Sequence, residues 1–326
     1  MISVNPVRGV SSNCFQDLII SVAVSWERAF SFIFFESLNI QFDPEGHSLI
    51  GPAIKARKET SIPLLQEYVG MNLQKRIYSN SEEAYGHLVL EIENGNPVII
   101  YISSFWNPWG NPHAYQRIND KHFVLVTGID NSSKELICID PTFSQKQEFL
   151  PLDHFMQGNN GTIFTIHKVV PKTIIVKDLF LKIAYKYGQN QNSEVIKGIA
   201  QHIGAAINFA EEFNQKHDFW ACDFFQMIDT IYFARIYFYE TMRYICEINK
   251  DSAVQFTLDE LRTISEDMAK EWEIVQKSII KNYILGKTKN EKKFIQTLSN
   301  RIGNCAILEA KMERLIRTIE KKNGKI

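Results

Sequence analysis

The chain of 326 residues lacks the motifs that usually reveal a metal or phosphate site. It has no HExxH zinc motif, no GxSxG nucleophile turn and no glycine-rich phosphate loop. Asp43, Glu45 and His47 stand close together, but no second cluster accompanies them, so we predict no metal site. The five cysteines form no CxxC pair, which indicates free thiols in a reducing compartment. They are Cys14, Cys138, Cys222, Cys246 and Cys305.

Long apolar runs and an excess of one charge are also missing. The apolar segment 18–35 is interrupted by serines and by Glu27 and Arg28, which excludes a membrane span. The first residues, MISVNPVRGV, lack the basic and apolar regions of a targeting signal. The net charge of −1 gives no indication of nucleic acid. We therefore predict a cytoplasmic protein without a membrane or nucleic-acid partner.

The pattern of apolar residues changes near residue 170. Before it, β-branched and alternating stretches predict strands at 97–103, 122–130, 135–140 and 161–170, and helices are predicted at 14–38, near 60–70 and at 81–93. After it, apolar residues recur every three or four positions, which predicts helices at 195–215, 220–249, 257–284 and 291–322. The sequence thus predicts an α+β domain with an antiparallel sheet over 1–170 and an all-helical domain over 171–326. Arg235, on a nearly apolar helix, needs a partner or a polar pocket.

Cys14 is a candidate nucleophile because of its place in the predicted first helix. It follows Ser11, Ser12 and Asn13, any of which can cap the helix. Backbone N–H groups at a helix start have no partner within the helix, and the positive end of the macrodipole favours a thiolate there. The alternative is that Cys14 is a small buried apolar residue, as most free cysteines are.

His122 and Asp140 lie toward the same end of a predicted hairpin. A four-residue turn at 131–134 pairs Asp130 with Glu135, which leaves His122 about three residues out of register with Asp140 and on the opposite face. A β-bulge is therefore required, and Gly128 is its natural site. With Cys14 upstream, the order of the residues is that of a Cys–His–Asp triad.

Four runs, NCF at residue 13, GNPVIIYIS at 95, KHFVLVTGID at 121 and LICIDPTF at 136, together resemble a known family. It is the BtrH-type family of butirosin biosynthesis, one of the papain-like, C39-like cysteine folds. The resemblance covers about residues 8–170, and the helical half is similar only loosely. The expected fold is therefore a papain-like domain followed by helices.

The resemblance implies acyl transfer from a carrier-protein phosphopantetheine thioester, through a cysteine, to a small amine or a peptide. It assigns Cys14 as the nucleophile, His122 as the base and Asp140 as the residue that orients it. C39-like peptidases usually carry a Gln a few residues before the cysteine, and here the preceding residues are VRGVSSN. This departure disfavours a protease. The N–H groups of Cys14 and Phe15, aided by Asn13, are candidates for the oxyanion hole.

The loop 104–120 supplies the remaining candidates. Trp106, Trp109 and Tyr115 either line an acyl or amine pocket or cover the edge of the sheet, and His113 either touches substrate or is an ordinary loop residue. No bound cofactor is expected beyond the phosphopantetheine thioester of a donor.

Alternatives to a transferase stay open at this point. They are a C39-like cysteine peptidase or amidohydrolase, and a non-catalytic papain-like binding protein, in which Cys14 is buried. The stretch 281–326 holds twelve basic and four acidic residues. This basic end either attracts an acidic acyl or peptidyl carrier protein or is an ordinary solvated helix face. A homo-oligomer is a further possibility.

Overall fold

A computed structural model describes residues 1–8, 13–34, 38–56, 62–176, 178–179, 191–214, 219–249, 252–286 and 292–323. The chain forms two compact units. The first unit contains Met1–Ile33 and Ser61–Thr173, and the second contains Phe34–Thr60 and Ile174–Ile326.

The first unit is built on a six-stranded antiparallel sheet. Its strands are β1 (Met71–Ile77), β2 (Val98–Ser103), β3 (Lys121–Asp130), β4 (Glu135–Ile139), β5 (Gln147–Pro151) and β6 (Thr162–Lys168). They lie in the order β1-β6-β2-β3-β4-β5. The helices are α1 (Cys14–Ser25), α2 (Ser81–Glu93) and α3 (Leu152–Gly158), and a short turn at Ile62–Leu64 continues as a π-helical turn at Leu65–Val69. The α+β fold with an antiparallel sheet is confirmed.

Alternation along the central strands directs one set of side chains to each face of the sheet. On one face Val124 and Val126 pack with Ala84 of α2 and Phe155 of α3 in a fully buried cluster. On the opposite face Phe123 contacts Phe15 of α1, with ring centroids 5.1 Å apart. Helices therefore cover both faces of the sheet. Of α1, α2 and α3, only α1 lies on the second face.

Helix α1 begins as predicted and ends earlier than predicted. The side chain of Asn13 accepts a hydrogen bond from the N–H of Gln16 at 2.8 Å, so Asn13 caps the helix. The helix was expected to reach residue 38, but it ends at Ser25. Glu27 takes a left-handed φ of 56°, and the N–H of Arg28 bonds to the carbonyl of Ala23 at 2.8 Å. These two features form a Schellman cap, which usually carries glycine and was therefore hidden in the sequence.

The predicted bulge lies in the hairpin of β3 and β4. Asp130 pairs with Glu135, and the register shifts between Val126 and Gly128, so that Val126 pairs with Cys138. The extra residue is Thr127, directly before Gly128. Because of the bulge, the side chains of His122 and Asp140 lie on the same face of the sheet, as the predicted triad requires.

The second unit is helical after residue 191, as predicted. Its helices are α4 (Asn192–Ala206), α5 (Phe209–Asn214), α6 (Asp223–Ile248), α7 (Ser252–Ile284) and α8 (Lys292–Asn323). The single helix expected at 195–215 is divided, because Ile207 is extended with a ψ of 133°. No helix in the described parts of the chain is long and apolar enough to cross a membrane.

The segment 34–60, expected in the N-terminal domain, packs with the helices of the second unit. Its strands Ile40–Phe42 and Ile54–Ala56 form a separate ribbon. The N–H of Ile40 bonds to the side chain of Asn192 at 3.3 Å, and the carboxylate of Glu212 accepts the N–H groups of Ile50 and Gly51. These partners lie more than 150 residues away in sequence, so local patterns could not reveal them.

Candidate active site

The ends of β3 and β4 bring His122 and Asp140 together. In the bulged register Val126 pairs with Cys138 and Leu125 with Ile139, so Asp140 follows at the level of Val124. His122 lies two residues further along the same face of β3. Its Nε2 atom lies 2.8 Å from Oδ2 of Asp140, and both side chains are buried. His122 and Asp140 are therefore in contact, as the sequence predicted.

Cys14 reaches the same place from the N-terminus of α1. Phe15, the next residue, packs against Phe123 and Phe164 of the sheet with centroid distances of 5.1 and 4.7 Å. This contact fixes the start of the helix over β3. The side chain of Cys14 is half-buried and interacts with His122 closely enough to raise the pKa of that ring. Because Nε2 of the ring faces Asp140, the other ring nitrogen, Nδ1, is the one available to the thiol.

The pKa of His122 reflects both neighbours. Burial disfavours the charged ring, but the hydrogen bonds to Asp140 and Cys14 and the negative charges of these groups outweigh it. Together they raise the pKa of His122 from 6.5 to about 9. At neutral pH the ring is therefore an imidazolium that is held between a carboxylate and a sulfur atom.

Asp140 is held by two further donors from the loop that follows β2. The indole N–H of Trp109 donates to Oδ2 at 2.9 Å, and the side-chain amide of Asn107 donates to the same oxygen at 3.3 Å. A Cβ atom at Gly110 would lie 3.0 Å from Nδ2 of Asn107, so a larger residue there would crowd this amide. Trp109 was expected near substrate or at the sheet edge, and its polar atom instead contacts the carboxylate.

Asn107 was missed in the sequence. It is almost fully buried, although asparagine on a loop is ordinarily exposed. The only available signal was its position in the run Asn-Pro-Trp-Gly, directly after the strand that pairs with β3.

Asn13 and Phe15, the weaker oxyanion-hole candidates, have structural roles. The side-chain oxygen of Asn13 caps α1, and the ring of Phe15 packs on the sheet. An oxyanion hole made of the backbone N–H groups of Cys14 and Phe15 stays a prediction.

The other loop candidates have contacts with residues other than His122 and Asp140. The ring of Trp106 packs against His154 at 5.3 Å, and Tyr115 lies 6.1 Å from the same histidine. His113 is exposed, and its N–H bonds to the side chain of Asn111 at 2.9 Å. None of these contacts assigns a substrate role.

The remaining cysteines have environments unlike that of Cys14. Burial raises the pKa values of Cys138, Cys305 and Cys246, and Cys222 accepts a hydrogen bond from the N–H of Phe225 at 3.4 Å. Within the described residues, no group of three His, Cys, Asp or Glu side chains is placed to hold a metal ion.

A comparison with protein families agrees with this architecture. Residues 50–159 match the family described as Peptidase_C39 like family. The matched stretch includes Asn107, Trp109, His122 and Asp140. It begins after Cys14 and ends before the helical region. No curated protein matches the chain.

The match, which covers about a third of the chain, and the antiparallel sheet agree on the fold. The chain has a papain-like, C39-like α+β fold followed by an all-helical region. A fold of this kind supports a cysteine-type enzyme or a binding domain.

Proposed function

We propose that the protein is a cysteine acyltransferase that moves an acyl group from a thioester to an amine. The observation that carries this proposal is the position of the His122 ring, which bonds to Asp140 at 2.8 Å and interacts with the side chain of Cys14. A ring held in this way can take a proton from the thiol and return it to a leaving group.

The steps follow from these contacts. The sulfur of Cys14 attacks the thioester carbonyl carbon, while the thiol proton resides on His122. The negative charge on the carbonyl oxygen is stabilised by N–H groups at the start of α1. The C–S bond to the donor breaks, and the departing thiolate takes the proton from His122. The acyl group is now bound to Cys14. The amine then attacks the acyl carbon and gives a proton to His122. The C–S bond to Cys14 breaks, the acyl group leaves as an amide, and Cys14 regains its proton.

The donor in this proposal is a phosphopantetheine thioester on an acyl or peptidyl carrier protein. Such carriers are acidic, and the helix α8 carries exposed cations at Lys311, Arg314 and Arg317. We call these three residues the basic stripe. They recur at helical spacing, and none has an ion-pair partner among the side chains that the structure describes. A place in antibiotic biosynthesis, as in the BtrH-type family, follows from the resemblance of the sequence runs.

A second candidate function is peptide or amide hydrolysis, which the match to the C39-like family favours. The first half of the reaction is the same, and water replaces the amine in the second half. The two functions therefore differ only in how the acyl group leaves Cys14.

The test is capture of the acyl-enzyme. The protein is mixed with a small acyl thioester, quenched in acid and digested, and the acylated peptide is identified by mass spectrometry. We expect the acyl group on Cys14, its loss in Cys14→Ala, and its retention in Cys246→Ala, a matched change at a half-buried thiol.

The fate of the acyl group separates the three functions. Faster deacylation with an added amine than with buffer alone supports transfer, and loss to water alone supports hydrolysis. If Cys14 takes no acyl group and resists alkylation in the folded protein, the papain-like unit is a binding domain.

A further inference from the structure

A pocket of about 540 Å³ opens at the end of the sheet where β2 ends and β3 and β6 begin. This volume lies within the range of small-molecule sites. The residues that decide its chemistry are Tyr101, Ser103, Trp106, Arg117, Gln157 and Asn160.

The pocket adjoins the reacting groups through the sheet. Tyr101 pairs with Phe123 across β2 and β3, and the next pair along the strands is Ile102 with His122. The ring of Phe123 contacts Phe15, the residue that follows Cys14. The rings of Tyr101 and Phe123 are 6.1 Å apart, so this wall of the pocket lies on the face of the sheet that is covered by α1, the helix that begins with Cys14.

The pocket carries a cation and no carboxylate among its lining residues. Arg117 is exposed, and its guanidinium has no ion-pair or hydrogen-bond partner among the described residues. Other polar groups are already engaged. Asn159 donates to the carbonyl of Tyr101 at 2.7 Å, and Ser103 bonds to Asn119.

Two side-chain amides add unused donors. Asn160 accepts the N–H of Thr162 at 3.1 Å through Oδ1, which leaves its N–H₂ group without a partner in the described structure. The side-chain amide of Gln157 makes no hydrogen bond to a described residue. Trp106 supplies an apolar wall, since it packs against Gly158 so closely that a Cβ there would lie 2.8 Å from it.

We infer that this pocket binds an anionic group of the substrate, a carboxylate or a phosphate, with Arg117 as its anchor. Guanidinium groups bind both anions through two parallel hydrogen bonds, and Gln157 and Asn160 add neutral donors. The inference rests on the proposed function for the place of the reaction, and it adds a substrate class. The anion comes either from the acyl group, as a distal carboxylate, or from the phosphopantetheine arm of the donor.

The two sources are distinguished with three thioesters. They are butyryl-N-acetylcysteamine, which is neutral, glutaryl-N-acetylcysteamine, which carries a carboxylate, and butyryl-phosphopantetheine, which carries a phosphate. For Arg117→Gln we expect kcat/KM to fall about 10- to 100-fold with the anionic thioester that the pocket binds, because a charge-assisted hydrogen bond is lost. The neutral thioester should be spared.

Two controls accompany this comparison. Lys75→Gln removes an exposed cation on β1 and should leave all three values unchanged. Arg117→Lys keeps the charge without the forked geometry and should recover part of the loss. Equal values of kcat/KM for wild type and Arg117→Gln with both anionic thioesters would overturn the inference, and so would an equal loss with all three.

Binding without reaction separates this inference from the proposed function. In the background of Cys14→Ala, calorimetric titration with the glutaryl and phosphopantetheine thioesters measures Kd alone. Saturable binding that is weakened by Arg117→Gln supports the pocket even if wild type forms no acyl-enzyme. Absence of saturable binding of both anionic probes at millimolar concentration overturns it, even if Cys14 is acylated.

Discussion

Each unit of the molecule buries a charged pair, and the two pairs differ in what surrounds them. In the α+β unit His122 and Asp140 are 2.8 Å apart, and in the helical unit Arg235 and Glu309 are 2.7 Å apart. Arg235 also donates to the carbonyl of Leu38 at 3.2 Å, and both members of its pair are fully buried. The requirement that Arg235 find a partner is thus met within its own unit.

The two pairs differ in whether a member can exchange a proton and in whether substrate can reach a neighbouring group. An arginine keeps its proton under all conditions in which proteins fold, so the pair of Arg235 and Glu309 can only hold helices together. His122 has a pKa of about 9 and shares its ring with a half-buried thiol. A buried charged pair therefore points to chemistry only where one member can exchange a proton with a group that substrate can reach.

The largest effect is expected for the carboxylate of the first pair. Asp140→Asn keeps the shape of the side chain but removes the charge that stabilises the imidazolium, so kcat should fall by about 10²- to 10⁴-fold. The measurement is acyl transfer from a small thioester. Asp130→Asn is the matched control at the turn between β3 and β4, where the carboxylate accepts N–H groups and a hydroxyl of the turn. A similar kcat for Asp140→Asn and wild type would remove Asp140 from the proposed mechanism.

The second pair is expected to act on stability alone. Glu309→Ala leaves the Arg235 guanidinium buried and uncompensated, which should lower the free energy of unfolding by about 3–5 kcal/mol. Urea unfolding measures this, and the double change Arg235→Met with Glu309→Leu should recover most of the loss, because no charge remains buried. The value of kcat with a small thioester, measured on folded protein, should stay near wild type. A loss of kcat in the stable double variant would contradict a purely structural role.

The pH dependence of stability is expected to separate the pairs further. The pKa of His122 is raised by folding, so its contribution is fully present below about pH 6.5 and is lost as the pH rises through 9. The size is on the order of 3 kcal/mol, from 1.36 kcal/mol per pH unit. We expect the difference in unfolding free energy between wild type and His122→Gln to shrink over this interval. The difference between wild type and the double variant Arg235→Met with Glu309→Leu, in which neither charge remains, should not change over this interval, and a constant difference for His122→Gln would show that the ring is not charged in the folded protein.

The neighbourhood of the first pair was predictable because it depends on a short hairpin. The turn length, the parity of β3 and the glycine at 128 together demanded a bulge, and the bulge lies beside Gly128. The cap at Asn13 was equally local, since the bond spans three residues.

The rest depends on contacts between distant residues. Asn107 is recognisable only from the carboxylate of Asp140, 33 residues later, and Glu309 is the partner of Arg235 over 74 residues. The end of α1 was hidden for another reason, because Glu27 takes a backbone conformation that favours glycine. Patterns of three or four residues contain none of this information.

The smallest effect is expected for the basic stripe on α8, which is proposed to attract the carrier-bound donor. Lys311→Glu, Arg314→Glu and Arg317→Glu together should lower kcat/KM for a carrier-bound donor about 3- to 10-fold at low salt, because steering of an acidic partner is lost. The neighbouring Glu313 forms no ion pair with the stripe in the described structure, and its carboxylate accepts the N–H and hydroxyl of Ser193 at 3.0 and 2.8 Å.

A control of equal charge change decides whether position or net charge matters in this last experiment. Arg262→Glu, Lys270→Glu and Lys277→Glu reverse three cations on α7 that already pair with acidic neighbours on the same helix. Only the stripe variant should lose kcat/KM with the carrier-bound donor, the small thioester should be spared, and physiological salt should reduce the difference by screening. An equal loss with both donors would indicate misfolding. If neither variant loses activity at low salt, the cations of α8 are a solvated helix face and play no part in binding a carrier.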